Sequence, residues 1–137
     1  MTSPEVQLEN LRDRIESSHE IDEEDREAIR GFDDALTLRK SEYSSHRHLK
    51  LLRHVTIIAE CVGGVSAALT DKEAAEDIVR WINRTYDNEE TNQDYRVALK
   101  VFGRRVTDEG VGDDPDEPPA SLNWIPSGTS NNYDPAP

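Results

Sequence analysis

Arg96, Lys100 and Arg104 recur every fourth residue in TNQDYRVALKVFGRRV, the stretch that opens at Thr91. On a helix this spacing lines up three cations at intervals of about 6 Å, a pitch that reaches successive phosphates or enters a major groove. An earlier stretch, YSSHRHLKLLRHVTIIAE from Tyr43, sets Arg47, Lys50 and His54 opposite Leu52, Val55 and Ala59. Arg80 and Arg84 form a shorter pair in between. Such strips suit the recognition of an anion. The plainer alternative is a solvated helix face whose cations meet carboxylates four residues away. That alternative is weaker here. Four residues before or after Arg96, Lys100 and Arg104, the only acidic side chain is Asp108.

The distribution of charge sharpens the point. The 137 residues carry a formal net charge of −13. The first 34 residues hold 4 Lys and Arg against 12 Asp and Glu, and the last 27 hold none against 5. From Ala35 to Gly110 the two signs balance at 12 each, so the basic residues are concentrated there. An acidic chain of this kind is either disordered or adapted to molar salt. The periodic apolar residues favour salt adaptation, as in a halophile. At 1 M salt the Debye length falls to about 3 Å, so bulk repulsion from DNA is screened while close contacts survive.

Other chemistries have little support. His46 and His48 diverge on a helix, and His54 and Cys61 stand two turns apart, so no metal site is expected. Gly63-Gly64 lacks the Lys and Ser/Thr of a phosphate loop. No nucleophile motif, cofactor motif or catalytic residue is found. The single cysteine, Cys61, lies in an apolar stretch and is expected to be an inert core thiol. No apolar run approaches the roughly 18 residues of a membrane span, and the start lacks a signal peptide's order. The expectation is a soluble, cytoplasmic, nucleoid-associated protein with no membrane partner.

Five helical segments must position these residues. Ser3-Pro4 starts the first, with Leu8, Leu11 and Ile15 on one stripe. Asp22 opens the second, with Ile29, Phe32 and Leu36. The third runs from about Ser45 to Val62 and closes at Gly63-Gly64. Thr70-Asp71-Lys72-Glu73 reads as a capping box before Ala74, Ile78, Trp81 and Ile82. The fifth starts near Glu89, carries Tyr95, Leu99, Phe102 and Val106, and stops at Gly110. The expected core joins Ile29, Phe32, Leu36, Leu49, Leu52, Val55, Ala59, Ile78, Trp81, Ile82, Tyr95, Leu99, Phe102 and Val106. No period-two alternation appears, so the fold class is all-α, a small bundle of about five helices. Residues 1–20 form an N-terminal amphipathic helix and residues 21–110 the helical domain. Residues 111–137 form an acidic, Pro-rich, disordered linker, in which Trp124 and Ile125 are the apolar exceptions.

The stretch from Ile78 to Val106, with WINRTYDNEETNQDYRVALKVFGRRV, resembles the N-terminal core-binding domain of tyrosine recombinases (phage integrases, Xer-like). More narrowly, it is similar to the haloarchaeal integrase group. YSSHRHLKLLRHV from Tyr43 and WIPSGTSNNYDP from Trp124 fit the same group, so the resemblance spans roughly residues 22–137. It implies a SAM-like helical domain that grips one side of double-stranded DNA while a separate catalytic domain closes from the other. The positions matching the family's DNA-facing helices are Arg47, Lys50, Thr91, Asn92, Arg96 and Lys100. The residue pattern adds Arg80, Arg84 and Arg104 to this DNA-binding set. The family's chemistry needs an Arg, a Lys, a His-x-x-Arg pair and a Tyr nucleophile. This chain has no His-x-x-Arg, and Tyr133 lies in a Pro-rich tail without those partners. The resemblance therefore implies a non-catalytic part of a DNA integrase, joined by its linker to a catalytic domain outside this chain. Assembly as a homo-tetramer on DNA is implied only for the full-length protein. A rival reading is a helical protein–protein adaptor whose first helix packs on another protomer.

Overall fold

A computed structural model describes residues 3–106 and 118–126. The described residues are all-helical: α1 (Pro4–Ser17), α2 (Glu23–Leu38), α3 (Ser45–Cys61), α4 (Lys72–Thr85), α5 (Glu89–Arg105) and α6 (Ala120–Asn123), with a 3-10 turn over Ala67–Leu69. Side chains start four of the five long helices by accepting first-turn amides that have no helical partner. Ser3 takes the amide of Val6, Ser44 that of Arg47, and Asn88 that of Thr91. At α4 the cap is Asp71, which accepts the Glu73 amide at 2.9 Å, and not Thr70 as the capping-box pattern predicts. A carboxylate one residue later takes the same role and also favours the positive end of the helix dipole. Gly63 and Gly64 close α3 at φ of 81° and 75°, a region where a side chain is strained.

The hub is α3, which packs against α1, α2 and α5, while α4 packs on α5, α6 and the 3-10 turn. Phe32 and Phe102 meet edge to face at 5.4 Å in the centre. The expected core residues are buried except Trp81 and Val106, which sit half-buried at its margin. Leu8, Leu11 and Ile15 of α1 face inward and join the same cluster. The first helix is therefore part of the bundle rather than a separate N-terminal element. Its apolar stripe, which the adaptor reading would use, is already covered.

Two further expectations are corrected. Cys61 is exposed, because it is the last residue of α3 and lies off the inward face. Within the supposed linker, residues 118–126 pack on the domain, with Leu122 and Ile125 buried in the common core. Gly110 and the remainder of the 111–137 segment lie outside the described residues. Among the described residues no helix is long and apolar enough to cross a membrane.

Polar ties fix the helices' relative positions. Asp25 at the start of α2 is 3% exposed, and its carboxylate accepts the amides of Gly64 and Ser66 at 3.0 and 2.9 Å. Asp33 on α2 accepts a forked pair of bonds from Arg12 on α1, at 2.7 and 3.0 Å. It also meets His48 Nε2 on α3 at 2.8 Å. Burial alone would raise the Asp33 carboxyl, but the bonds from His48 and Arg12 outweigh it and hold the group at about 2. A carboxyl depressed in the folded state stabilises above its ordinary value and loses that contribution as pH falls towards the depressed one. Acidification from about pH 4 to about pH 2 should therefore remove up to about 2 kcal/mol from this contact. Thermal melts should show that loss in the wild type, and Asp33→Asn should show less of it. In the core, Leu99→Ala should cost about 2–5 kcal/mol in a urea titration.

Candidate nucleic-acid interface

Along α5, Tyr95, Leu99 and Phe102 turn inward, and the neighbouring strip carries Arg96, Lys100 and Arg104. The strip is not the exposed face that its spacing suggests. Arg96 is 6% exposed; its Nε donates to Asn92 Oδ1 at 2.7 Å and its Nη1 to the Pro126 carbonyl at 2.6 Å. Lys100 Nζ donates to the Ile125 carbonyl at 2.8 Å. Burial first, then the nearby Arg104 and Arg96, push the Lys100 ammonium below its ordinary value. Arg104 is half-buried, and its Nε has no hydrogen-bond partner. Two of the three cations thus hold the returning chain.

The other expected contacts divide. Lys50 pairs with Asp94 on α5 at 2.9 Å, a partner that lies across helices and so escapes a rule based on residues four apart. Arg80 pairs with Asp77 at 2.6 Å and lies 3.9 Å from Glu76. Arg84 is exposed in the last turn of α4, where a cation suits the helix dipole. The Thr91 amide is taken by the Asn88 cap. Asn92 braces the turn between α4 and α5: its Nδ2 donates to Asn83 Oδ1 and the Tyr86 carbonyl, and its Oδ1 accepts from Arg96. His54 is no cation either. Burial pushes its pKa down to about 4 against the pull of Asp94, and its ring packs 4.2 Å from that of Tyr95.

The structure brings together a different group. Tyr43 meets Arg105, and further along Lys50 meets Asp94 and His54 meets Tyr95, so α3 and α5 run antiparallel. That pairing sets Arg47 and Arg105 against the buried Tyr43 ring, their guanidinium carbons 5.7 and 5.8 Å from its centroid. Arg105 Nε also donates to the Tyr43 hydroxyl at 3.2 Å. Among the described residues, Arg47, Arg104 and Arg105 form no ion pair. Arg105 and Tyr43 fall outside the set expected from the sequence, although the Arg104-Arg105 doublet in the last turn of α5 is a visible signal. The result is a ridge of arginines at one end of α3 and α5, with Lys100 one turn away.

One further depression is described. A shallow open cleft between α1, α2 and the start of α3 mixes Glu5 and Glu9 with Arg12, Lys40 and His48. Its Arg12 and His48 are both engaged by Asp33. Among the described residues no group of three His, Cys, Asp or Glu side chains could hold a metal.

No family model, curated protein or solved structure matches this chain.

The geometry separates structural cations from available ones. Arg96→Ala should cost about 1–3 kcal/mol, because it empties a buried position and leaves the part-buried Asn92 and Pro126 acceptors unpaired. Arg47→Ala should stay within about 0.5 kcal/mol of wild type. Urea midpoints of the two variants measure the contrast.

Proposed function

We propose that this chain is a DNA-binding domain, the non-catalytic N-terminal part of a tyrosine recombinase, as its resemblance to core-binding domains suggests. The supporting observation is the arginine ridge: Arg47 and Arg105 flanking Tyr43, with Arg104 beside them, unpaired by carboxylates among the described residues. In a chain of net charge −13, three arginines left without ion pairs on adjoining helix ends stand out. Guanidinium groups suit phosphate because their planar forks bind two oxygens at once. Contacts of this kind fix register on a duplex without reading sequence. Lys100, one turn along α5, extends the ridge.

The adaptor reading has less to stand on. The α1 stripe is buried, and among the described residues the exposed large apolar side chains are scattered: Val6 in α1, Leu38 at the end of α2 and Trp124 just after α6. Nucleoid association, and a tetramer of the full-length protein on DNA, belong to this same proposal.

The ridge is testable with random duplex DNA across a salt series. Each lost phosphate contact should lower the slope of log affinity against log salt by about 0.9. The combined change of Arg47, Arg104 and Arg105 to Ala should weaken binding and flatten the slope together. Arg80→Ala, whose guanidinium is committed to Asp77, should do neither. Arg12 and Arg14 are unsuitable controls, since their ion pairs with Asp33 and Glu60 tie α1 to α2 and α3. Equal binding by wild type and the triple variant would remove this surface from the proposal, and no binding at low salt would remove DNA.

A further inference from the structure

Residues 118–126 return across α5 and end on its basic strip. Their seat is specific. A β-carbon on Gly103 would lie 2.5 Å from Leu122 Cδ1 and 3.1 Å from Pro119 Cδ, so only glycine at that position admits the segment this closely. Leu122 and Ile125 fill the gap, Ser121 Oγ donates to the Ala68 carbonyl at 2.6 Å, and Lys72 lies 5.6 Å over the Trp124 ring. The segment is also slight. Its helix, α6, has four residues, and Trp124 remains 37% exposed. At its far end the carbonyls of Ile125 and Pro126 accept from Lys100 and Arg96.

We propose that residues 118–126 are a strap that covers part of the basic strip and lifts when duplex DNA binds, releasing Arg96 and Lys100 to phosphates. This rests on the DNA reading of the arginine ridge and adds its regulation. With the strap seated, Arg96 is too buried for a phosphate to reach, and Lys100 spends a donor on a neutral carbonyl. A phosphodiester carries a full negative charge, and its charge-assisted bonds are roughly twice as strong as those to a neutral acceptor. A phosphate already held by Arg104 would stand next to Lys100, where the exchange of partners is local. The crowding of Arg96, Lys100 and Arg104 favours any partner that brings negative charge.

The test uses the wild-type chain with and without a random duplex of about 20 base pairs, read by amide hydrogen exchange. The amides of Leu122, Asn123 and Ile125, bonded to the Pro119 and Leu122 carbonyls, should lose protection on DNA, while those of α1 stay unchanged. In a second arm, the double change Leu122→Ser and Ile125→Ser should unseat the strap, tighten binding and steepen the salt slope by about 0.9 per contact regained. A retained helical circular-dichroism signal verifies its fold. Strap amides that keep or gain protection while DNA is bound overturn the proposal, as does a serine variant with wild-type affinity and slope. If neither protein binds the duplex, the DNA reading itself falls, and the strap's role falls with it.

Discussion

The helix α3 has to be covered on more than one side, and the rest of the domain is arranged to do it. Leu49, Leu52, Val55 and Ala59 make one buried face, and Leu51 and Ile58 add a second. A helix this apolar around its circumference is stable only when enclosed by others, here α1, α2 and α5. Its ends need equal care, because a helix terminus leaves amides and carbonyls without helical partners. Ser44 settles the first turn, and the two left-handed glycines settle the last. The Asp25 carboxylate then fixes the outgoing loop through two amides and so sets where α4 begins its return.

With only 34% apolar residues, the packing is supplemented by arginines that tie the helices together at the surface. Arg12 ties α1 to Asp33, Arg14 ties it to Glu60, and Arg30 reaches back to Glu16. Arg26 is the most committed of them. It donates to the carbonyls of Ile15, Ser18 and Ile21, satisfying the end of α1 and the turn after it. A guanidinium suits this work because it spreads five donors in a plane and is more weakly hydrated than an ammonium. In this acidic chain, arginine is therefore a structural residue first, and only those without a carboxylate partner are left for the proposed binding role.

That rule explains what was legible in the sequence and what was not. Local patterns read well: the start at Ser3-Pro4, the end at Gly63-Gly64, and the inward faces of α2, α3 and α5 all follow from short-range spacing. What failed depended on tertiary partners. Lys50 meets Asp94, and Arg96 meets Pro126, 30 residues away, contacts that no helical wheel contains. Leu122 and Ile125 sit among Pro, Asn and Ser, so composition argued for a linker. The gap that holds them is made by Gly103 on another element, and a glycine inside a helix announces only that something comes close. Among the described residues Arg47 and Arg105 are distinguished by the lack of a carboxylate partner, which sequence spacing cannot show.

The same division governs how this domain would respond to salt. If the proposed DNA reading holds, the overall charge of −13 repels the polyanion at long range while the arginine ridge attracts it at contact. These two terms are screened differently. The long-range repulsion fades as the Debye length falls from about 10 Å at 0.1 M salt to about 3 Å at 1 M. The contact term weakens through the loss of counterion release, by about 0.9 per phosphate in the logarithmic slope. Rising salt therefore removes a penalty and a gain together, and the absolute slope of such a domain understates the number of its phosphate contacts. Variants that differ by one exposed arginine share nearly the same long-range field. The difference between their slopes, and not either slope alone, counts the contacts.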